Sequence, residues 1–231
     1  MKTDQHRAAL RGLPESEVSG YLTAHSGLPG PRGNLELIAA LVEEATPALA
    51  LDLADRPDEY LRSCGTATLG RLIAEGHDVT ALLHARAADD SWRVREATAM
   101  ALQRLGDADP AAMRALVRTW AADPDPLVRR AAVAGICEPR LLKDPDTAVA
   151  ALDACAAATD GLVAVPADHR RDPAVRTLRQ GLGYCWSVAV AGAPEPGVAR
   201  FLALENVADP DVAWVVRENR KKARLRRVLG D

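Results

Sequence analysis

Aromatic residues are scarce in this chain: Phe, Trp and Tyr make up 3% of its 231 residues, and Phe201 is its single phenylalanine. Because 48% of the residues are hydrophobic, the interior must be filled mainly by Ala, Leu and Val. Ala and Leu favour helices, and the period-two alternation of apolar residues that is typical of strands is absent. The composition therefore predicts an all-α protein with closely packed helices.

Cysteine is also scarce, and the four cysteines form neither a CxxC motif nor a Cys–His pair of the kind that binds zinc. Each lies among apolar neighbours at helical spacing, which favours reduced, buried thiols in a reducing compartment. His77 and His84 are seven residues apart but lack a third ligand nearby. We therefore expect no metal site and no cofactor. The cysteines are Cys64, Cys137, Cys155 and Cys185.

The sequence has no stretch of about 18 apolar residues and no apolar segment of a secretory signal near its start. We expect neither a membrane span nor secretion, and a bacterial cytoplasm is the expected location. The Gly- and Pro-rich residues 26–33 lack the P-loop pattern, GxxxxGK followed by Ser or Thr. They are predicted to form an ordered loop that leads into Asn34, the N-cap of the next helix.

A segment of about a dozen residues recurs along the chain. Residues 61–72 align without gaps on residues 94–105, and the opening Val-Arg returns at Val128, Val175 and Val216. Successive copies are offset by 33, 34, 47 and 41 residues, which is the length of a two-helix repeat. Apolar residues within the second copy follow the spacing of one helix face. The chain is thus predicted to be a stack of helical hairpins.

About five hairpins are expected. Proline follows an acidic N-cap at several predicted helix starts, as in Asp125-Pro126 and Asp209-Pro210. The second helices of the hairpins begin near Leu61, Val94, Val128, Val175 and Val212. The first helices are placed at residues 34–46, 78–89, 109–121, 145–159 and 195–208.

Two further features complete the predicted organisation. A helix over residues 14–25 is expected to cap the stack, so that residues 1–33 form a cap and loop and residues 34–231 form the repeats. The longer offset of the fourth repeat is assigned to an insertion at residues 160–171. Three glycines predict local irregularity in the second helix of that repeat, between Gly181 and Gly192.

The best copies share an acidic turn, Val-Arg, an Ala-rich stretch and Leu. They read Asp90-Ser91-Trp92-Arg93-Val94-Arg95-Glu96-Ala97 and Asp125-Pro126-Leu127-Val128-Arg129-Arg130-Ala131-Ala132. The pattern resembles the HEAT repeat superfamily, in particular the bacterial HEAT-like repeats first noticed in phycobilisome lyases. Over about residues 34–227 this resemblance implies a right-handed α-solenoid. It also implies a structural ladder of acid–arginine pairs, namely Asp90 with Arg95, Asp125 with Arg129, and Asp172 with Arg176.

The last predicted helix is strongly basic. Residues 217–227 carry seven Lys or Arg and one Glu, a local charge of +6 in a chain whose formal net charge is -3. Such a stripe attracts phosphate groups, but it also suits a terminal helix whose charge keeps a repeat stack soluble. The five cations spaced to share one helix face are Arg217, Arg220, Lys221, Arg224 and Arg227.

Two tryptophans, Trp92 and Trp214, occupy the same place in the repeat, in the element WxVRE. Each either wedges into the hairpin turn or offers an aromatic contact on a groove wall. Arg170 and Arg171 in the basic insertion are candidates for a lip of that groove. HEAT-like alkylpurine DNA glycosylases are similar in fold, size and tryptophan usage, but no Asp of this chain can be aligned with their active-site motif.

No group of residues indicates a chemical reaction, so we assign no catalytic residue. We expect a non-catalytic HEAT-repeat scaffold that binds a protein partner through its concave face. The alternative is a DNA- or RNA-binding module, and an enzymatic version of it would be a relative of the HEAT-like glycosylases of alkylation repair. Salt dependence separates the two classes, because binding to phosphates weakens steeply with ionic strength.

Overall fold

The structure, a computed structural model, describes residues 3–230, and every regular element in this range is helical. The all-α prediction is therefore confirmed. The α-helices of the described residues are α1 Thr3–Gly12, α2 Glu15–Ala24, α3 Leu35–Glu44, α4 Pro47–Ala54, α5 Glu59–Ala74, α6 Thr80–Ala87, α7 Trp92–Ala108, α8 Pro110–Ala121, α9 Pro126–Ile136, α10 Pro145–Val163, α11 Pro173–Gly192, α12 Pro194–Ala203, α13 Pro210–Arg220 and α14 Ala223–Leu229. Short 3-10 helices, Leu141–Lys143 and Leu204–Asn206, follow α9 and α12.

Residue contacts divide the chain into two compact units, Met1–Ala108 and Asp109–Asp231. The first unit holds α1 to α7 and the second holds α8 to α14. The sequence did not predict this division. Over the described part of the chain, no helix is both long and apolar enough to cross a membrane.

Helix α5 is the centre of the first unit. It packs against α4 and α7, and it also contacts α2, α3 and α6. Every residue from Ser63 to Gly70 is buried, and most of these side chains are small. Small side chains let neighbouring helices approach closely, which is how a core with few aromatic rings is filled.

Helix α11 has the same central role in the second unit, where it packs against α9, α10, α12, α13 and α14. Its Trp186 is buried and lies 6.2 Å from the ring of Phe201 on α12. The Trp186 indole Nε1 donates a hydrogen bond to Thr159 Oγ1 on α10, 3.0 Å away. A buried indole needs such a partner, so this contact fixes α11 against α10.

Side-chain caps start most of the repeat helices, as the sequence predicted. The Asn34 side chain accepts a hydrogen bond from Leu37 N at the start of α3. Asp125 and Asp209 cap α9 and α13 in the same way, each with proline in the first turn. Asp172 precedes Pro173 and α11 without a side-chain cap bond. These caps satisfy backbone donors that a helix start would otherwise leave unpaired.

The pairing of the first predicted hairpin is wrong. Residues 34–46 contain α3, but the helix that directly precedes and packs on α5 is α4, which was not predicted from the sequence. Thr46 was expected to end a helix, yet its hydroxyl caps α4 by accepting from Leu49 N at 3.1 Å, with Pro47 in the first turn. Helix α1 was missed as well, and it packs against α3.

The irregularity predicted between Gly181 and Gly192 is also wrong, because α11 runs unbroken from Pro173 to Gly192. The glycines instead mark places where neighbouring groups come close. A Cβ atom on Gly183 would lie 2.7 Å from Trp214 Cζ3, and one on Gly192 would lie 2.9 Å from Leu142 Cβ. Packing therefore outweighs the weak helix propensity of glycine at these positions.

Candidate functional site

The C-terminal basic segment is not one helix. Helix α13 ends at Arg220, the backbone of Lys222 is extended, and α14 begins at Ala223. The predicted stripe of five cations on a single helix face is therefore wrong. The break between the two helices allows Leu225 to be fully buried. Asn219, near the end of α13, is buried as well. Asn219 Oδ1 accepts from Ser187 N at 2.8 Å and ties the end of α13 to α11.

The five predicted cations separate into different surroundings. Arg220 pairs with Glu205, whose Oε1 lies 2.9 Å from Arg220 Nε, and Lys221 Nζ lies 2.6 Å from Glu218 Oε1. Arg217 and Arg227 are exposed. Arg224 turns to an aromatic residue instead of a carboxylate. The basic segment is thus partly neutralised by its own acidic neighbours.

Arg224 and Lys222 converge on Tyr184 of α11. The Arg224 guanidinium carbon lies 4.9 Å from the ring centroid, and Lys222 Nζ lies 5.6 Å from it. The Tyr184 hydroxyl accepts a hydrogen bond of 2.8 Å from Arg224 Nη2. We name Tyr184, Lys222 and Arg224 the Tyr184 cluster. Tyr184 was not among the residues predicted from the sequence, although it follows Arg176 and Gln180 along the exposed side of α11.

Arg170 of the insertion is held in place by the protein. Its Nη1 lies 2.5 Å from Asp209 Oδ2 and 3.3 Å from Asp211 Oδ2, while Nη2 donates to Val163 O at 2.8 Å. Both aspartates are buried. Arg171 beside it is exposed. Arg170 therefore links the insertion to the start of α13, whereas Arg171 lies on the surface.

The two equivalent tryptophans lie in different environments. The Trp214 ring is half-buried against Gly183, and the Arg179 guanidinium carbon lies 4.8 Å from its centroid. Trp92, the first residue of α7, is 49% exposed. Trp214 thus packs against the helical residue Gly183 of α11 and not into a hairpin turn, whereas Trp92 remains available on a surface.

An apolar cavity of about 290 Å³ opens beside Trp92. Leu35 is 56% exposed at its edge, and Arg32 is exposed on its rim. We name this cavity the anchor groove. Its apolar wall is formed by Leu35, Ile38, Tyr60, Trp92, Ala97 and Met100.

Arg93 fixes the shape of this groove. Its guanidinium carbon lies 4.7 Å from the Trp92 ring centroid, its Nη1 pairs with Glu59 at 2.8 Å, and its Nη2 donates to Gly30 O at 3.0 Å. The loop that contains Gly30 is also held by Tyr60, whose hydroxyl donates to Asn34 O at 2.8 Å. The groove is therefore organised before anything binds to it.

A second, more polar cavity of about 510 Å³ shares Tyr60 and Arg93 with the anchor groove. The loop residues Leu28, Pro29 and Gly30 line one part of it, and Asp58 and Glu59 line another. The loop thus separates a polar recess from an apolar one, with Arg93 between them.

The acidic turns and arginines behave as structural groups. Arg62 Nε lies 2.9 Å from Asp89 Oδ2, which links the turn before α7 to α5, while Arg95 Nη1 donates to the backbone oxygens of Asp89 and Asp90. The Asp125 side chain caps α9. The predicted ladder pairs, Asp90 with Arg95, Asp125 with Arg129, and Asp172 with Arg176, stay predictions.

His169 and Asp172 form a local pair at the end of the insertion. His169 Nδ1 lies 3.0 Å from Asp172 Oδ2, and this hydrogen bond, together with the charge of Asp168, raises the pKa of His169. His169 is exposed. The carboxylate of Asp172 is therefore directed to the insertion.

The cysteines are buried, and two of them are neighbours: Cys137 Sγ and Cys155 Sγ are 3.7 Å apart. Burial raises the pKa of Cys155, which keeps its thiol protonated at neutral pH. Among residues 3–230, no three His, Cys, Asp or Glu side chains are grouped as metal ligands would be.

Comparison with known proteins gives one match. Residues 46–137 match the family model described as HEAT repeats, a range that begins one residue before α4 and ends one residue after α9. No curated protein and no solved structure matches the chain. The match supports the HEAT repeat superfamily, whereas the closer likenesses to phycobilisome-lyase repeats and to DNA glycosylases stay predictions. The described residues are therefore all-α, and residues 46–137 are similar to HEAT repeats, the kind of two-helix repeat that builds α-solenoids.

Proposed function

We propose that this protein is a non-catalytic interaction module that binds a partner protein through the anchor groove. The observation that carries the proposal is Trp92, which is 49% exposed beside an apolar cavity. Exposed aromatic and arginine side chains around an apolar pocket are typical of the residues that dominate protein interfaces. Because Arg93 already holds the Trp92 ring, little side-chain freedom is lost on binding.

The partner is expected to insert one large apolar side chain. The cavity of about 290 Å³ is small for a ligand pocket but suits a single anchor residue of a peptide or helix. Arg32 lies exposed on its rim, and its guanidinium forms no ion pair with residues 3–230. An acidic residue next to the anchor would complement this charge.

A peptide-display selection tests the proposal. The wild-type protein should enrich peptides that share a large apolar residue next to Asp or Glu, and one of these peptides is then titrated by calorimetry. Trp92→Ala should weaken binding by about 2 kcal/mol, which is roughly 30-fold. Circular dichroism of each variant shows whether its helices are intact.

Two leucines of the first unit supply a matched control. Leu35 at the groove is 56% exposed, and Leu51 on α4, which does not line the groove, is 40% exposed. Leu35→Ala should weaken binding of the selected peptide, whereas Leu51→Ala should leave its affinity unchanged. The proposal fails if no peptide is enriched, or if the selected peptides bind Trp92→Ala and Leu35→Ala as tightly as they bind the wild type.

A further inference from the structure

The Tyr184 cluster is a second surface, formed by α11, α14 and Lys222, one of the two residues between α13 and α14. Tyr184 is 44% exposed although two cationic groups lie within 6 Å of its ring centroid. Its hydroxyl holds Arg224 through a hydrogen bond of 2.8 Å. The arginine is therefore fixed over an exposed aromatic ring, and a lysine lies near the same ring.

The two cations of the cluster lack the ion pairs of their neighbours. Arg220 and Lys221 are paired with Glu205 and Glu218, whereas no carboxylate among residues 3–230 forms an ion pair with Lys222 or Arg224. The nearby carboxylate of Glu218 accepts a hydrogen bond from Lys221, which lowers the pKa of Glu218, and the charge of Lys222 adds a weaker effect. Two like charges held at one ring repel each other, and a bound anion would relieve that repulsion.

The chemistry of the cluster favours a particular anion. Arg224 uses one of its five N–H donors on Tyr184, which leaves the others for a phosphate group. A tyrosine ring and a guanidinium plane are also surfaces on which unpaired bases stack. An acidic peptide would need only the positive charges, whereas a single strand of nucleic acid uses the charges and the ring together.

We propose that the Tyr184 cluster binds single-stranded nucleic acid, with Lys222 and Arg224 on the phosphates and the Tyr184–Arg224 stack against a base. The site lies in the second unit, so it is separate from the protein-binding function proposed for the anchor groove of the first. The cluster differs from the predicted stripe of five cations on one helix. It consists of three residues that come together because the chain turns between α13 and α14. Of these three, only Arg224 was among the residues that the sequence suggested.

Fluorescence anisotropy with a labelled oligothymidylate of about 15 nucleotides tests the proposal, at about 50 and about 200 mM salt. Lys222→Gln and Arg224→Gln should each reduce the slope of log K against log salt by about 0.7, the value for one phosphate of a single strand. Tyr184→Leu should weaken binding roughly tenfold, because base stacking is lost, while Tyr184→Phe retains a stacking ring. Circular dichroism confirms that each variant is folded.

Arg118→Gln is the matched control, because it removes one positive charge from an exposed position on α8 in the same unit. Its affinity and salt slope should equal those of the wild type. The proposal is overturned if the oligonucleotide does not bind, if Tyr184→Leu binds as tightly as the wild type, or if Arg118→Gln lowers the slope as much as Arg224→Gln does. The proposal would also be overturned if a duplex of the same length bound as tightly as the single strand, or if polyglutamate at the same concentration of charge displaced the oligonucleotide.

Discussion

Gly70 of α5 and Ala101 of α7 meet backbone to backbone. A Cβ atom on Gly70 would overlap the carbonyl group of Ala101 and lie 2.8 Å from its Cα atom. Both residues are buried, in helices that pack closely together. The close approach of α5 and α7 therefore depends on the absence of a side chain at residue 70.

Gly70→Ala should consequently destabilise the protein. The added methyl group forces two backbones apart, and overpacking of this kind costs about 1 to 3 kcal/mol or more. Thermal unfolding followed by circular dichroism measures the effect. Gly20→Ala is the control, because nothing lies within 4 Å of a Cβ atom there and alanine favours α2 by up to about 1 kcal/mol. Equal melting temperatures for Gly70→Ala and the wild type would contradict the packing argument.

Arg170 and Arg171 are adjacent arginines that should differ sharply on substitution. Arg170→Ala leaves the buried carboxylate of Asp209 without its ion pair, and Asp211 keeps only Arg179. Loss of one partner of a buried pair costs about 3 kcal/mol. Arg171→Ala removes the same charge from an exposed site and should change stability by less than about 0.5 kcal/mol. Urea unfolding of both variants gives the comparison, and a stable Arg170→Ala protein would restore Arg170 as a candidate for binding.

The sequence predicted those parts of the fold that depend on local signals. Asn34 could be identified as an N-cap because Asn is a preferred cap residue and a Gly- and Pro-rich loop precedes it. The helix break after Arg220 could not be predicted, because no Gly or Pro lies there. The break depends instead on the burial of Asn219 and Leu225 against other helices. Helix α4 was missed because Thr46-Pro47 fits both the end of one helix and the start of the next.

The candidate surfaces were predicted less well for the same reason. Trp92 and Trp214 have the same local sequence, yet only tertiary packing against Gly183 makes one of them structural. Tyr184 becomes a candidate once α14 turns back to place Arg224 on it. Contacts between residues about 40 positions apart cannot be derived from helical periodicity, which describes one helix at a time.

Protonation of His6 should weaken the fold as the pH falls. His6 is 1% exposed, and its Nδ1 lies 2.9 Å from the Tyr21 hydroxyl. Burial lowers the pKa of His6 below the usual 6.5, with smaller contributions from the positive charges of the N-terminus and His25, while Glu36 acts in the opposite direction. The unfolded chain therefore binds this proton more readily than the folded protein.

The stabilising contribution of neutral His6 is complete above the unfolded pKa of 6.5 and is lost as the pH falls from there toward the lower folded pKa. The loss can reach about 1.4 kcal/mol per pH unit while the two states differ by one proton. Urea unfolding between about pH 7.5 and pH 5.5 measures it. His6→Gln should flatten this dependence, whatever its effect on absolute stability. An unchanged pH dependence in His6→Gln would show that another group is responsible.

The four thiols should be inert in the folded protein. Cys64 and Cys155 are 0% exposed, and Cys137 and Cys185 are 5% and 4% exposed. Burial raises the pKa of Cys64, and a hydrogen bond with Cys155, followed by burial, raises the pKa of Cys137. Because the thiolate is the reactive form, a protonated and covered thiol reacts only when the surrounding structure opens. Ellman's reagent should therefore label none of the cysteines in buffer and all four in denaturant. If one cysteine reacts at once in buffer, the unit that contains it opens locally, and mapping the labelled residue shows whether it is Cys64 in the first unit or one of Cys137, Cys155 and Cys185 in the second.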